Sequence, residues 1–138
     1  MLLLHYSLGF VFLREFILNY LIEIIEELIL QNELELAKKV LNDNAWKINA
    51  LSYNDLMATV LYGEDAYEEA LKFLNINEIL LKNEVLLTDM LFTTYFQIGN
   101  CYHALNKMQK AHGYYALCFE SLDGTDPLLH EMQRMLNY

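Results

Sequence analysis

The chain has 138 residues, 55% of them hydrophobic, with one Pro and five Gly. This length is typical of one domain with a sizeable core, and the scarcity of helix-breaking residues favours an all-α fold. The net charge of −10, from 9 basic and 19 acidic residues, argues against nucleic acid as a partner, because an acidic chain repels phosphate backbones. We expect instead a protein or peptide partner with an apolar or basic segment.

The first 31 residues are unusually apolar. No Lys or Arg precedes the run 1–13 and no small-residue cleavage site follows it, while Arg14, Glu15 and Glu23 interrupt any membrane-length stretch. We therefore expect no signal peptide, no membrane anchor and a cytoplasmic location. Residues 14–31 carry a broad apolar stripe at helical spacing and predict a strong helix. Two interpretations of this surplus stay open: it packs tightly within the domain, or a second protomer or partner covers it as a homodimer or heterodimer.

The sequence then predicts two helical hairpins. Asn32 is expected to form the turn before a helix at 33–43, and the run Asn42-Asp43-Asn44 is expected to end that helix. Ser52 is the expected N-cap of a helix at 53–62, with Asp55 at its third following position. The turn at 63–65 then leads to a return helix that carries apolar residues at helical spacing.

The stretch from 92 to 127 predicts a third hairpin. Gly99 and Ala111 are small where its two helices should cross, and Asn106 tolerates the tight turn between them. The alanines at 37, 70 and 111 mark equivalent positions, 33 and then 41 residues apart, so about seven extra residues lie near 82–84. Asp126 and Pro127 predict the start of a short capping helix at 127–137.

The sequence carries no constellation typical of catalysis. It has no Gly-rich phosphate loop, nucleophile elbow or Cys-x-x-Cys motif. Cys101, His103, His112 and Cys118 could in principle ligate zinc, but the two cysteines fall on the apolar pattern, so buried reduced thiols are the favoured interpretation. We expect no enzymatic activity, no cofactor and no metal.

The repeated unit resembles the tetratricopeptide repeat, over approximately 18–49, 51–83 and 92–125 of a single domain at 1–138. In the third unit, the run Phe96-Gln97-Ile98-Gly99-Asn100-Cys101 followed by Ala111 and Tyr115 is similar to bacterial type III secretion chaperones that guard translocator subunits. That resemblance implies an all-α helical-hairpin solenoid of about three repeats, with an N-terminal apolar helix and a C-terminal capping helix. It also implies a cytosolic virulence chaperone that holds a client segment in a concave groove and dimerises through its N-terminal helix. The irregular 41-residue spacing and the poor first repeat depart from that family.

The geometry of such repeats implies which side chains would line the groove. The proposed partner-binding residues are Ile22, Glu26, Ile29, Asp55, Thr59, Tyr62, Phe96, Asn100 and His103, with Asn19, Ser52 and Thr93 beside them. Two alternatives stay open: a structural or regulatory scaffold subunit that never releases its partner, and a chaperone of secretion needle subunits. A clamp for a C-terminal carboxylate is disfavoured, because none of these positions is basic.

Overall fold

The computed structural model describes residues 2–82, 88–121 and 134. The described part contains six α-helices and one short 3₁₀ turn at Ala45–Lys47, and no strand, which confirms the all-α fold. The helices are α1 (Leu2–Leu30), α2 (Leu34–Asp43), α3 (Ala50–Gly63), α4 (Tyr67–Leu81), α5 (Thr88–Ala104) and α6 (Met108–Ser121). The capping helix predicted at 127–137 lies outside the described residues.

Consecutive helices pack against each other as hairpins. α1 packs on α2, α3 on α4 and α5 on α6, while α2 also contacts α3, and α4 contacts α5. The main core runs through these contacts from Ile25 in α1 to Cys101 in α5. A second apolar cluster lies between α5 and α6 around Tyr95 and Cys118.

Three turns of the same geometry connect the helices of each hairpin. Asn32, Asp65 and Asn106 adopt positive φ angles of 60°, 62° and 61°, a region in which Asn and Asp are the best tolerated residues after Gly. In each turn, the following residue donates its backbone N–H to the carbonyl five positions earlier, at 2.8 Å every time. This bond closes the end of the first helix with the geometry of a Schellman motif. The three turns therefore repeat one another in structure as well as in sequence.

The alanines that mark the repeat are fully buried. Ala37, Ala70 and Ala111 each lie five residues after a positive-φ turn residue and have 0% of their surface exposed. A small side chain at these points lets the two helices of a hairpin approach closely. Gly99 plays the same part on the facing helix, where an added Cβ would lie 2.5 Å from Cε1 of Tyr115.

The start of α3 differs from the prediction. The expected N-cap, Ser52, lies inside the helix, and Asn49 caps it instead. Asn49 has extended backbone angles (φ −67°, ψ 157°), and its side chain accepts a 2.9 Å hydrogen bond from the backbone N–H of Ser52. The prediction was wrong because Asn49 and Ser52 are both good capping residues, and the apolar pattern did not distinguish a start at 50 from one at 53.

The insertion before the third hairpin lies partly in the helices. α4 has 15 residues and α5 has 17, against 10 in α2 and 14 in α3. The extra turns account for much of the longer spacing between Ala70 and Ala111. The predicted centre of the insertion, at 82–84, is described only at Lys82, directly after α4.

The N-terminal helix is continuous from Leu2 to Leu30 instead of starting near residue 14. Its second half packs on the domain, through Ile25 at 0% exposure and the partly buried Leu21 and Leu28. The side chains that the structure describes farther toward the N-terminus include exposed apolar ones, with Phe12 at 73% and Phe16 at 69% exposure. Among the described side chains of this helix, packing against the main core begins at Leu21. Among the described residues, no helix combines the length and apolar character needed to cross a membrane.

Candidate functional site

Two neighbouring cavities lie between α3 and α5, with α4 beneath them. We call the surface they form the α3–α5 furrow. It is lined by Asp55, Ala58, Thr59 and Tyr62 of α3, Leu74 and Asn77 of α4, and Asp89, Met90, Thr93, Thr94, Gln97, Asn100 and Cys101 of α5.

Four of the predicted groove residues meet in this furrow. Asp55, Thr59 and Tyr62 come from one face of α3, and Asn100 from the facing side of α5. Thr59 and Asn100 each lie six residues before the positive-φ residue of their turn, so they occupy equivalent positions of successive hairpins. Thr93 and Ser52 were expected beside the groove residues. Thr93 lines the furrow, whereas Ser52 lies in the first turn of α3.

The other predicted residues lie elsewhere. Ile22 and Ile29 of α1 are half-buried and pack on the main core, while Glu26 is exposed on the same helix. His103 is exposed in the last turn of α5. Phe96 stacks on Phe92 with ring centroids 6.5 Å apart and also contacts Tyr115. The described structure thus gives Ile22, Ile29 and Phe96 packing contacts, and none of these five residues lines the two cavities.

The cavity toward the C-terminal ends of α3 and α5 is mostly apolar. It has a volume of about 130 Å3 and includes Ala58, Leu74 and Cys101 in its walls. Tyr62 stands at its edge, 41% exposed, with its ring held edge-on against Tyr67 at 5.1 Å. A large aromatic side chain that is both exposed and held by a neighbour offers contact area at low entropic cost.

The cavity toward the N-terminal ends of the same helices has two acidic residues in its walls, and we call it the acidic cavity. It has a volume of about 230 Å3, and Asp55 and Asp89 line it together with Asn, Thr and Met side chains, which leave most of its surface apolar. Burial raises the pKa of Asp55, and a hydrogen bond from the Gln97 side chain partly opposes that rise. Among the residues that the structure describes, no Lys or Arg forms an ion pair with Asp55, so a positive charge is favoured in this cavity.

Gln97 bridges the two helices between the cavities. Its Nε2 donates a 3.3 Å hydrogen bond to Oγ1 of Thr59, and Thr59 in turn donates its hydroxyl to the carbonyl of Asp55 at 2.8 Å. The other amide atom, Oε1, is buried and has no hydrogen-bond partner in the described part of the chain. A buried acceptor without a donor costs about 1–3 kcal/mol. The sequence analysis missed this residue as a site component because it lies one position beyond the predicted face, at the contact with the preceding hairpin.

Asn100 is held in place from the α6 side. Its Oδ1 accepts a 2.6 Å hydrogen bond from the hydroxyl of Tyr115. Burial raises the pKa of Tyr115 to about 12, so its hydroxyl stays protonated and remains a donor at neutral pH. Because the oxygen is engaged, the amide nitrogen of Asn100 is the group left to donate to a ligand in the furrow.

The cysteines and histidines do not converge. Cys101 and Cys118 are buried with 1% and 0% exposure, whereas His103 and His112 are exposed. Burial raises the pKa of Cys101 to about 11 and that of Cys118 to about 12, which keeps both thiols protonated and poorly nucleophilic. Within the residues that the structure describes, no three Cys, His, Asp or Glu side chains are grouped so as to hold a metal ion.

Comparison with known proteins adds no assignment. No family model, no curated protein and no solved structure matches this chain.

Proposed function

We propose that this protein is a non-enzymatic binding module that holds an extended segment of a client protein in the α3–α5 furrow. The observation that carries the proposal is the furrow itself, in which an apolar cavity and a cavity with two carboxylates follow one another between the same two helices. An extended peptide can place successive side chains in both cavities.

The biological role that we propose is that of a cytoplasmic chaperone for a secreted, membrane-inserting protein. Three repeated hairpins, an acidic chain and the third-hairpin motif around Gly99 support the likeness to type III secretion chaperones of translocators. Membrane-inserting segments aggregate in water because their apolar surface is exposed, and binding to a partner shifts the equilibrium away from the aggregating state. In this proposal the furrow holds such a segment until secretion.

We further propose that two copies of the chain, or this chain and a partner, associate through α1. Exposed apolar side chains between residues 11 and 17 of this helix support this part of the proposal. Val11, Leu13 and Ile17 are each more than half exposed, in addition to Phe12 and Phe16. Contiguous apolar surface of this kind is typical of interaction sites. A permanent scaffold subunit is the second candidate function, because a stable assembly would also cover this surface.

The first experiment tests the furrow as the binding surface. Synthetic ten-residue peptides labelled with fluorescein, each with apolar residues and one Lys in a Ser/Thr background, are titrated with the protein, and fluorescence anisotropy is recorded. Tyr62→Ala is expected to weaken binding tenfold or more, which corresponds to about 1.4 kcal/mol or more. Trp46→Ala is the matched control, because Trp46 is an aromatic residue with 81% exposure outside the furrow. Equal affinity of the folded Tyr62→Ala variant and the wild type would contradict the proposal.

Phe96, another of the proposed partner-binding residues, is a less suitable test position. Because its ring contacts both Phe92 and Tyr115, truncation to Ala removes packing within the third hairpin as well as any contact with a client. A lower melting temperature is expected for Phe96→Ala, whereas Tyr62→Ala removes a ring that is 41% exposed and forms one ring contact, with Tyr67.

The second experiment separates chaperone from scaffold. The chain is co-expressed with the secreted membrane-inserting proteins of its own genome, and the soluble fraction of each is measured. A chaperone increases the soluble amount of its client and is absent from the secreted product. A scaffold stays bound in the final assembly, so its co-purification with the mature complex would favour the second candidate.

A further inference from the structure

The two cavities of the furrow differ in chemistry and follow one another along the same pair of helices. The acidic one involves Asp55 on α3 and residues 89–94 on α5. The apolar one involves residues 58–62 on α3 and 97–101 on α5. Both helices therefore pass from the acidic to the apolar cavity in the same direction. A ligand that occupies both must present a cationic group at one end and an apolar group at the other.

The distance between the cavities sets the spacing of those two groups. Tyr62 lies seven positions after Asp55, and Cys101 lies seven positions after Thr94. Seven residues of α-helix rise about 10 Å, at 1.5 Å per residue. An extended peptide advances about 3.3–3.6 Å per residue, so this distance corresponds to about three residues of bound chain.

Gln97 of α5 and Thr59 of α3 join the two helices between the cavities, because Nε2 of Gln97 donates a 3.3 Å hydrogen bond to Oγ1 of Thr59. Oε1 of Gln97 is itself buried, so a ligand in the furrow lies over this bridge and does not contact that atom. The extended conformation of the ligand is the one that the proposed function gives it.

We propose that the furrow recognises an extended peptide segment in which a Lys or Arg and a branched or linear apolar residue are three positions apart. The basic side chain lies beside Asp55 and Asp89, and the apolar side chain fills the cavity beside Tyr62. This inference rests on the proposed function, since it specifies the ligand of the same furrow.

The volumes agree with this assignment. The apolar cavity of about 130 Å3 has room for one aliphatic side chain, and the acidic cavity of about 230 Å3 has room for a longer basic side chain with its hydration. A positive charge is the complement that two carboxylates favour, and the overall charge of −10 adds attraction during the encounter.

The experiment uses labelled, acetylated and amidated peptides of ten residues in a Ser/Thr background. Lys and Leu are placed one, three or six positions apart, in both chain orders, and anisotropy gives the Kd of each. The three-position spacing is expected to bind at least tenfold more tightly than the other two, in at least one order. Replacing Lys by Glu, or Leu by Ser, at that spacing is expected to remove most of the binding.

Protein variants then assign each preference to its cavity. The double variant Asp55→Asn with Asp89→Asn is expected to abolish the preference for Lys over Ser while it keeps the preference for Leu. Tyr62→Ala is expected to abolish the preference for Leu over Ser while it keeps the preference for Lys. The control is Asp43→Asn with Glu68→Gln, two exposed acidic residues outside the furrow, which also removes two negative charges. Circular dichroism melts establish that each variant is folded.

The outcomes separate this inference from the proposed function. Binding that depends on Tyr62 but is equal at all three spacings would overturn the spacing rule and leave the furrow as the binding surface. A control variant, Asp43→Asn with Glu68→Gln, that weakens binding as much as the furrow double variant would also overturn this inference and leave the furrow as the binding surface. General electrostatic attraction would then explain the role of Lys. Absence of binding by every peptide would overturn both.

Discussion

Gly99 offers the sharpest test of the packing between α5 and α6. A Cβ at this position would lie 2.5 Å from Cε1 and 2.7 Å from Cδ1 of Tyr115, well inside van der Waals contact. The Tyr115 ring cannot easily move aside, because its hydroxyl is bonded to Asn100 at 2.6 Å and its face contacts Phe96. Overpacking of this kind costs about 1–3 kcal/mol.

Helix propensity acts in the opposite direction. Ala is favoured over Gly in a helix interior by about 1 kcal/mol. We therefore expect Gly99→Ala to lower the free energy of unfolding by about 1–2 kcal/mol, since the rigid ring puts the steric cost in the upper part of its range. The matched control is Gly113→Ala in α6, where an added Cβ meets nothing within 4 Å. That substitution should stabilise the protein by about 0.5–1 kcal/mol.

The assay is urea denaturation followed by circular dichroism at 222 nm. A double-mutant cycle with Tyr115→Leu tests the cause directly: removing the ring should make Gly99→Ala less costly by more than about 0.5 kcal/mol. If Gly99→Ala stabilises the protein as much as Gly113→Ala does, the close contact between Gly99 and Tyr115 is absent and this account of the third hairpin is refuted.

Three further predictions follow from the acidic cavity, the buried amides and the apolar helix. Because burial raises the pKa of Asp55 above its ordinary value of 3.8, the folded state binds more protons between these two pKa values, and stability falls as pH rises through that window. Asp55→Asn should therefore be more stable than wild type at pH 7 and lose this advantage toward pH 4; equal stability at both pH values in urea titrations would contradict it. Asn77→Ala should destabilise by about 2–3 kcal/mol, because Asn54 Nδ2 and the Leu51 carbonyl, which it bonds at 3.0 Å each, lose their partners; a loss below about 0.5 kcal/mol would argue against this network. Deleting residues 1–13 should lower the number of chains per particle measured by light scattering, and an unchanged number would count against association through α1.

The hairpins and their register could be predicted from local sequence because each depends on short-range patterns. Asn32 and Asn106 are residue types that tolerate positive φ, and the three buried alanines recur at a spacing that the sequence displays directly. The same patterns did not distinguish Asn49 from Ser52 as the cap of α3, because both residue types serve and they lie three positions apart.

The candidate site was only partly predictable, for a physical reason. Asp55, Thr59 and Tyr62 lie on one face of α3, which helical spacing displays directly. Gln97 was missed because its place in the site depends on its hydrogen bond to Thr59, 38 positions away in the sequence. The pattern also could not show that Phe96 is held by Phe92 and Tyr115, since that depends on how α6 packs on α5.

The central claim, that the α3–α5 furrow is the binding surface, is tested most directly by mapping the site in solution. Amide resonances of the isotope-labelled protein are recorded while the unlabelled peptide with Lys and Leu three positions apart is added. The account predicts that the largest shift changes occur at Asp55, Thr59, Tyr62, Gln97 and Asn100, which line the two cavities. Shift changes concentrated on α1 or α6, with the furrow residues unmoved at saturation, would contradict it.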